Sequence, residues 1–286
     1  MTVIRRMRKA AMSAAMVAAV MFAGVSLTAS PAEAITGGYP VQADIRGASL
    51  VHLQIGTAGC SGVLITPEWV LTARHCIPET AEPGTAIVGP SLMTGHKRGI
   101  VEVRRHTSVD LAVIRLSSPV PAPTAGLSGA HQHPGNPATV TGWGGWNINP
   151  YPVAQQADTT IDRRVINLPG PFPSMALLEA PIRNGRLLPG DSGGALWVNG
   201  EVAGILSMST STHTPSQDGT LGWYIPVAEH LDWIAYHTAA PVPRVSGQSA
   251  ALVDARQYPP LIPVAQTISL PILHETASSP LAIGSH

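Results

Sequence analysis

Ser192 stands in the run Pro189-Gly190-Asp191-Ser192-Gly193-Gly194, between an aspartate and a pair of glycines. Glycine adopts φ > 0 at no steric cost, so such a run suits a tight turn that presents a hydroxyl and brings amide N–H groups close to a carbonyl. A serine hydroxyl is a poor nucleophile at neutral pH. It needs a base within hydrogen-bond reach and a third group to orient that base. Both are available upstream: His75 in Leu71-Thr72-Ala73-Arg74-His75-Cys76, and Asp110 in Asp110-Leu111-Ala112-Val113-Ile114-Arg115-Leu116. In this reading His75 takes the proton from Ser192 and returns it to a leaving amine, while Asp110 holds the imidazole tautomer. The bland alternatives are a structural histidine and a turn-forming aspartate at the start of a strand.

Three motifs in the order His, Asp, Ser, with a cysteine directly after the histidine, resemble the trypsin/chymotrypsin-like serine proteases. The resemblance runs from Ile35 to about Thr238 and implies a secreted endopeptidase that works through an acyl-enzyme. It makes the backbone N–H groups of Gly190 and Ser192 the oxyanion hole. It sets Ser207 on the strand that pairs with substrate, its hydroxyl towards Asp110, and pairs Cys60 with Cys76 as the histidine-loop bridge. Departures are Arg74 for an alanine beside the base, Met208 for a tryptophan and Ser209 for a glycine. The rival from another class is a non-catalytic binding module on the same fold.

By the same resemblance Arg186, six residues before the serine, occupies the base of the primary pocket. A cation there argues against cleavage after Lys or Arg, because two like charges would share a poorly solvated slot. Arg186 would either receive Glu or Asp side chains, helped by Ser209, or turn to solvent. The latter leaves a pocket lined by Leu187, Leu206 and Gly222 that favours apolar side chains. A small or extended preference is the third option.

The ends of the chain carry other instructions. Arg5, Arg6, Arg8 and Lys9 precede an apolar run over 10–27, and Ala32-Glu33-Ala34 has the small-x-small form of a signal-peptidase site. The expectation is a removable signal peptide over 1–34, and general secretion rather than twin-arginine export. A membrane anchor, for which the run is borderline in length, is the alternative. Cleavage after Ala34 would leave Ile35-Thr36-Gly37-Gly38 at the amino terminus. In the family the resemblance points to, that free amine pairs with the aspartate before the serine, here Asp191. With no propeptide between the cleavage site and Ile35, export itself would yield the active form.

Removing the four basic and one acidic residues of 1–34 from 17 Lys+Arg and 17 Asp+Glu leaves 13 and 16, a net charge near −3. Nothing in that balance calls for a nucleic-acid or anionic-membrane partner. A protein or peptide substrate, no cofactor, no metal and a monomer are expected. The two cysteines, Cys60 and Cys76, read as a disulfide in an exported chain rather than as metal ligands. His131 and His133, in a Gly/Pro-rich stretch, read as solvated.

The elements that must position these groups are short apolar segments separated by Gly, Pro and Asn, at 49–55, 62–65, 70–72, 100–104, 111–116, 138–142 and 201–207. No long helical period competes with them, so the domain over 35–238 is predicted all-β. The pattern alone fits either two packed barrels or a large sandwich. The resemblance implies two six-stranded antiparallel β-barrels with the active site in the cleft between them, His75 and Asp110 on the first and Ser192 on the second. The stretch 117–137 is the expected linker, and Trp143 and Trp146 are expected to pack in the second barrel. Residues 227–237 have helical spacing. Prolines at 241, 243, 259, 260, 263, 271 and 280 predict a mostly irregular tail over 239–286, with a partner-binding segment as the alternative.

Overall fold

The computed structural model describes residues 35, 37–79, 84–145, 153–183, 185–210, 220–257 and 267–268. The expected signal peptide, Trp146 and most of the stretch beyond 257 lie outside the described residues. No helix among those described is long and apolar enough to cross a membrane.

The chain opens with a two-residue strand β1 (Tyr39–Pro40) and a single helical turn α1 (Ile45–Ala48). Six strands follow: β2 (Leu50–Ile55), β3 (Ala58–Leu64), β4 (Trp69–Thr72), β5 (Gly84–Val88), β6 (His96–Arg105) and β7 (Ala112–Leu116). They close into a barrel in the order β2-β3-β4-β7-β6-β5. Period-two alternation explains its core: Val51, Leu53 and Ile55 of β2 and Ala112, Ile114 and Leu116 of β7 all point inward. Leu111 and Val113 point the opposite way, with Val63 and Leu71, into a second cluster that includes Trp197, Ile205 and Trp223. The strands flanking His75 and Asp110 are therefore buried on both faces, one of them against the other half of the molecule.

That half is built from β8 (Pro137–Gly142), β9 (Gln155–Thr160), β10 (Arg163–Ile166), β11 (Leu177–Ile182), β12 (Ala195–Val198), β13 (Glu201–Thr210) and β14 (Thr220–Pro226). Their ladder runs β9-β8-β12-β13-β14-β11-β10. It curls around Val140, Leu178, Leu196, Leu206 and Tyr224. Expected as a second closed barrel, this half has no closing ladder among the described residues; β9 and β11 come together where Thr159 Oγ1 donates to the Pro181 carbonyl at 2.7 Å, which rolls the sheet into a barrel-like second half. The mostly strand architecture, with one closed six-stranded barrel and a short closing helix, is that of the chymotrypsin fold. The stretch 117–137 joins the halves. Its Ala125 N–H reaches Leu64 O of the first barrel, and its Ser128 N–H reaches Val202 O of the second.

The segment expected to be one helix from Val227 divides in two. Val227–Glu229 forms a 3₁₀ turn, and the α-helix α2 spans Leu231–Thr238. It ends at Ala239, whose left-handed conformation (φ 52°) lets its N–H cap Ala235 O. Beyond it the backbone is irregular but docked. Ser246 N–H bonds Gly129 O, His131 N–H bonds Ser246 O, and β15 (Leu252–Asp254) adds a parallel strand to β10. A two-residue strand β16 (Thr267–Ile268) pairs with Ser209 and Thr210 of β13.

Candidate active site

β4 ends at Thr72, and the chain turns at once into a 3₁₀ turn, Arg74–Cys76. The disulfide between Cys76 and Cys60 of β3 ties that turn to the barrel wall. Closing a loop of 16 residues is worth about 3 kcal/mol in the chain-entropy estimate. Asp110 lies two residues before β7, the strand that pairs with β4, so strand pairing brings the two segments together. Both carboxylate oxygens of Asp110 are engaged. Oδ1 accepts the His75 backbone N–H at 2.8 Å, and Oδ2 lies 2.7 Å from His75 Nδ1. With Nδ1 donating to the carboxylate, the lone pair of the neutral ring sits on Nε2, which is buried and makes no hydrogen bond to a described residue.

A third donor reaches the same carboxylate from the second barrel, the Ser207 hydroxyl on Oδ2 at 2.6 Å. The pairing of β13 with β14 explains its direction. Leu206 opposes Tyr224 and Met208 opposes Trp223, which leaves Ser207 as the extra residue of a bulge, and a bulge re-aims its side chain.

Ser192 is buried at the mouth of the turn before β12. Its carbonyl accepts the Ser61 N–H at 2.8 Å and lies 3.6 Å from Cys76 Sγ, so the serine turn is seated against the His75-Cys76 turn. No hydrogen bond joins Ser192 to His75 Nε2 in this structure. Catalytic hydrogen bonds of unliganded enzymes commonly tighten only when substrate is bound. Gly193, at φ +80°, admits no side chain: a Cβ there would lie 2.2 Å from Thr72 Oγ1 and 2.3 Å from Ser61 O.

Hydrogen-bond accounting singles out two donors in this turn. The carbonyls of Pro189, Gly190, Asp191 and Ser192 accept from Gly145 N, Ser61 Oγ, Gly194 N and Ser61 N respectively. The N–H groups of Asp191, Gly193 and Gly194 donate to Leu188 O, Leu206 O and Asp191 O. Among the described residues the N–H groups of Gly190 and Ser192 alone have no acceptor in this turn.

Asp191 is fully buried, its Oδ1 accepting from Gly144 N–H at 2.7 Å and its Oδ2 from Leu188 N–H at 2.8 Å. The Gly142-Trp143-Gly144 segment wraps the carboxylate so closely that a Cβ at 142 or 144 would lie 2.1 or 2.3 Å from one of its oxygens. Burial pushes this carboxyl up to about 7, and the two N–H bonds oppose the shift only partly. Ile35 is fully buried in the second barrel with Leu187 and Tyr224. Among the described residues no ion pair reaches Asp191. The Tyr224 hydroxyl is buried with no hydrogen-bond partner among the described residues, and burial first, then Asp191, raises its pKa.

Around the expected pocket, Arg186 is half-buried, and Leu187 lies in the barrel core with its N–H on Thr220 Oγ1 at 3.0 Å. Ser209 and Gly222 face each other on β13 and β14. Arg74, the departure beside the base, is partly covered. It donates to His106 O at 2.9 Å and to Thr107 O at 3.3 Å, and stacks over Phe172 at 5.2 Å. Trp143 packs with Val41, Leu50 and Ala154, at the seam with β2 rather than inside the second barrel core. Two neighbours of the site had no sequence signal. Met175 places its sulfur 3.3 Å from the Asp110 nitrogen, and Ser61, which β3 includes, lies just before the segment predicted at 62–65.

The fold and this arrangement define a serine-type hydrolase. Residues 35–234 match the family model for Trypsin, and the chain belongs to that family of serine-type endopeptidases. It is 45% identical over 241 residues to an "Uncharacterized peptidase" of Corynebacterium glutamicum (strain R), covering 84% of this chain and 86% of that protein. Identity to an anionic trypsin of Canis lupus familiaris is 27% over 252 residues, 80% of this chain and 99% of that protein. A "Beta-fibrinogenase-like" protein of Daboia siamensis is 30% identical over 232 residues, 68% of this chain and 85% of that protein.

Proposed function

We propose that this protease is secreted and cleaves peptide bonds through Ser192, His75 and Asp110, with a non-tryptic primary specificity. The observation that carries the reading is the Asp110 carboxylate, which takes the His75 N–H, His75 Nδ1 and Ser207 Oγ and leaves Nε2 as the unbonded basic nitrogen. As Ser192 Oγ attacks the substrate carbonyl carbon, Nε2 takes its proton. The negative charge that develops on the carbonyl oxygen is met by the N–H groups of Gly190 and Ser192. The intermediate collapses when His75 protonates the leaving amine, which leaves the acyl group on Ser192. A water then repeats the sequence with His75 as base.

Export through residues 1–34 and cleavage after Ala34 would free the Ile35 amine. That ammonium is the counter-charge that buried Asp191 lacks in the uncut chain, and a buried carboxylate is costly without one. Facing the pocket, Arg186 would receive Glu or Asp side chains; turned away, it leaves a pocket lined by Leu187, Leu206 and Gly222 that takes apolar ones, and neither arrangement favours Lys or Arg. The single chain contains every group this chemistry uses, in keeping with a monomer acting on protein or peptide substrates.

The test is a cleavage-site profile of the secreted protein on a mixed peptide library, with Ser192→Ala as control. Cuts that vanish in the control, after apolar or acidic residues, are expected. No cleavage by a protein that starts at Ile35 would favour a binding module instead.

A further inference from the structure

Ser61 is fully buried in β3, directly after Cys60, and every one of its hydrogen-bonding groups is committed. Its N–H donates to Ser192 O at 2.8 Å, and its carbonyl accepts Thr72 Oγ1 at 2.8 Å. Its hydroxyl donates to Gly190 O at 2.7 Å and accepts the Trp143 N–H at 2.8 Å. Two of these four bonds thus reach the turn that carries Gly190 and Ser192. A third reaches the segment whose glycines enclose Asp191.

Among the described residues the hydroxyl is the only side-chain donor that holds a carbonyl of 189–192; the others are backbone amides. Gly190 sits at φ +102°, and without a Cβ its flanking peptide planes are free to rotate. Gly190 O belongs to the Gly190–Asp191 peptide, which lies between the peptide that carries the Gly190 N–H and the one that carries the Ser192 N–H, so holding it limits the rotation of both donor-bearing neighbours. The anchor comes from the first barrel, so the strand beside the disulfide that holds His75 also sets the donor turn of the second barrel.

We propose that the Ser61 hydroxyl is a positioning residue for the oxyanion donors Gly190 and Ser192, coupling their alignment to the wall of the first barrel. This rests on the proteolytic reading above. Removing the hydroxyl leaves the Ser61 backbone bonds in place. The donors would remain but be poorly aligned, so the loss should appear in transition-state stabilisation and not in ground-state binding.

The experiment compares mature wild-type protein, Ser61→Ala and Ser61→Thr on a peptide amide chosen from the cleavage profile. Active sites are counted by the acylation burst, so that kcat refers to folded sites only. A peptide boronate of matching sequence, which mimics the tetrahedral oxyanion, supplies an independent readout. Ser61→Ala is expected to lower kcat about 10-fold, less than the roughly 10²–10³ that follows outright loss of an oxyanion donor. KM should stay within about twofold, boronate affinity should fall in parallel with kcat, and Ser61→Thr should restore both. An unchanged kcat per site in Ser61→Ala overturns the proposal. So does an equal loss in Ala and Thr variants with boronate affinity intact, which would mark a packing role. Wild-type protein with no burst and no Ser192-dependent turnover would instead remove the proteolytic reading itself.

Discussion

The Ser207 hydroxyl donates to Oδ2 of Asp110 over 2.6 Å, the same oxygen that faces His75 Nδ1. Asp110 belongs to the first barrel and Ser207 to the second, so this bond spans the boundary that the chemistry must bridge. Ser207→Ala removes one donor to a charged acceptor, a loss of about 1.5 kcal/mol. The expected result is a fall of about 10-fold in kcat/KM and of roughly 3–6 °C in melting temperature, read by steady-state kinetics and thermal unfolding. An unchanged kcat/KM would mean that His75 alone orients the carboxylate.

Ser192→Ala and His75→Ala should each reduce kcat by more than about 10⁴-fold. The double variant should be no slower than either single one, because the two groups act as a unit. Multiplicative losses in single-turnover assays would contradict a shared proton-transfer step.

The uncut chain carries a pH signature. Burial pushes the Asp191 carboxyl up to about 7, so folding takes up a proton between about pH 4 and 7. That stabilisation is complete below the ordinary carboxylate range and is lost as pH rises towards 7. His52 and His230, held down to about 4 by burial, act with the opposite sign: their contribution is present above about pH 6.5 and is lost as pH falls. Asp191→Asn, made in full-length Ser192→Ala protein, removes only the first effect. Its stability relative to the parent should rise by roughly 4 kcal/mol between pH 4 and 7 in urea unfolding. Parallel curves would show that Asp191 does not titrate in this window.

Replacing both Cys60 and Cys76 by serine should cost about 3 kcal/mol, or roughly 6–12 °C in melting temperature for a domain of this size. Because Cys76 follows His75 and lies against Ser192 O, activity should fall at temperatures where the variant is still folded. Calorimetry and kinetics on the same sample would separate the two effects.

Arg186→Asp replaces a cation at the expected pocket base with an anion. Cuts after Lys and Arg should appear in the peptide profile, and cuts after Glu or Asp, if the parent makes any, should disappear. A profile identical to the parent's would place residue 186 away from the primary side chain.

Much of the fold was legible in the chain because local pattern and burial agree there. The apolar segments at 49–55 and 111–116 become β2 and β7, and the later part of the helical spacing over 227–237 becomes α2. The strand β9 was hard to see, since Gln155 and Gln156 are polar yet buried between β1 and β8. The closing helix was expected from Val227 but begins at Leu231. The first three residues form the tighter 3₁₀ turn, and the junction at His230 is not helical.

Residue type and chain order by themselves determined the class of this protein: a nucleophile in a glycine turn, a histidine beside a cysteine, an aspartate before an apolar strand. Those are local features, dictated by what each group must do chemically. Only the tertiary structure decided which side chains hold the machinery in place. Ser61, Ser207 and Met175 meet their partners across 129, 97 and 65 residues of chain. Such contacts leave no local periodicity, because they arise where two barrels pack and a small polar group finds the one buried partner within reach.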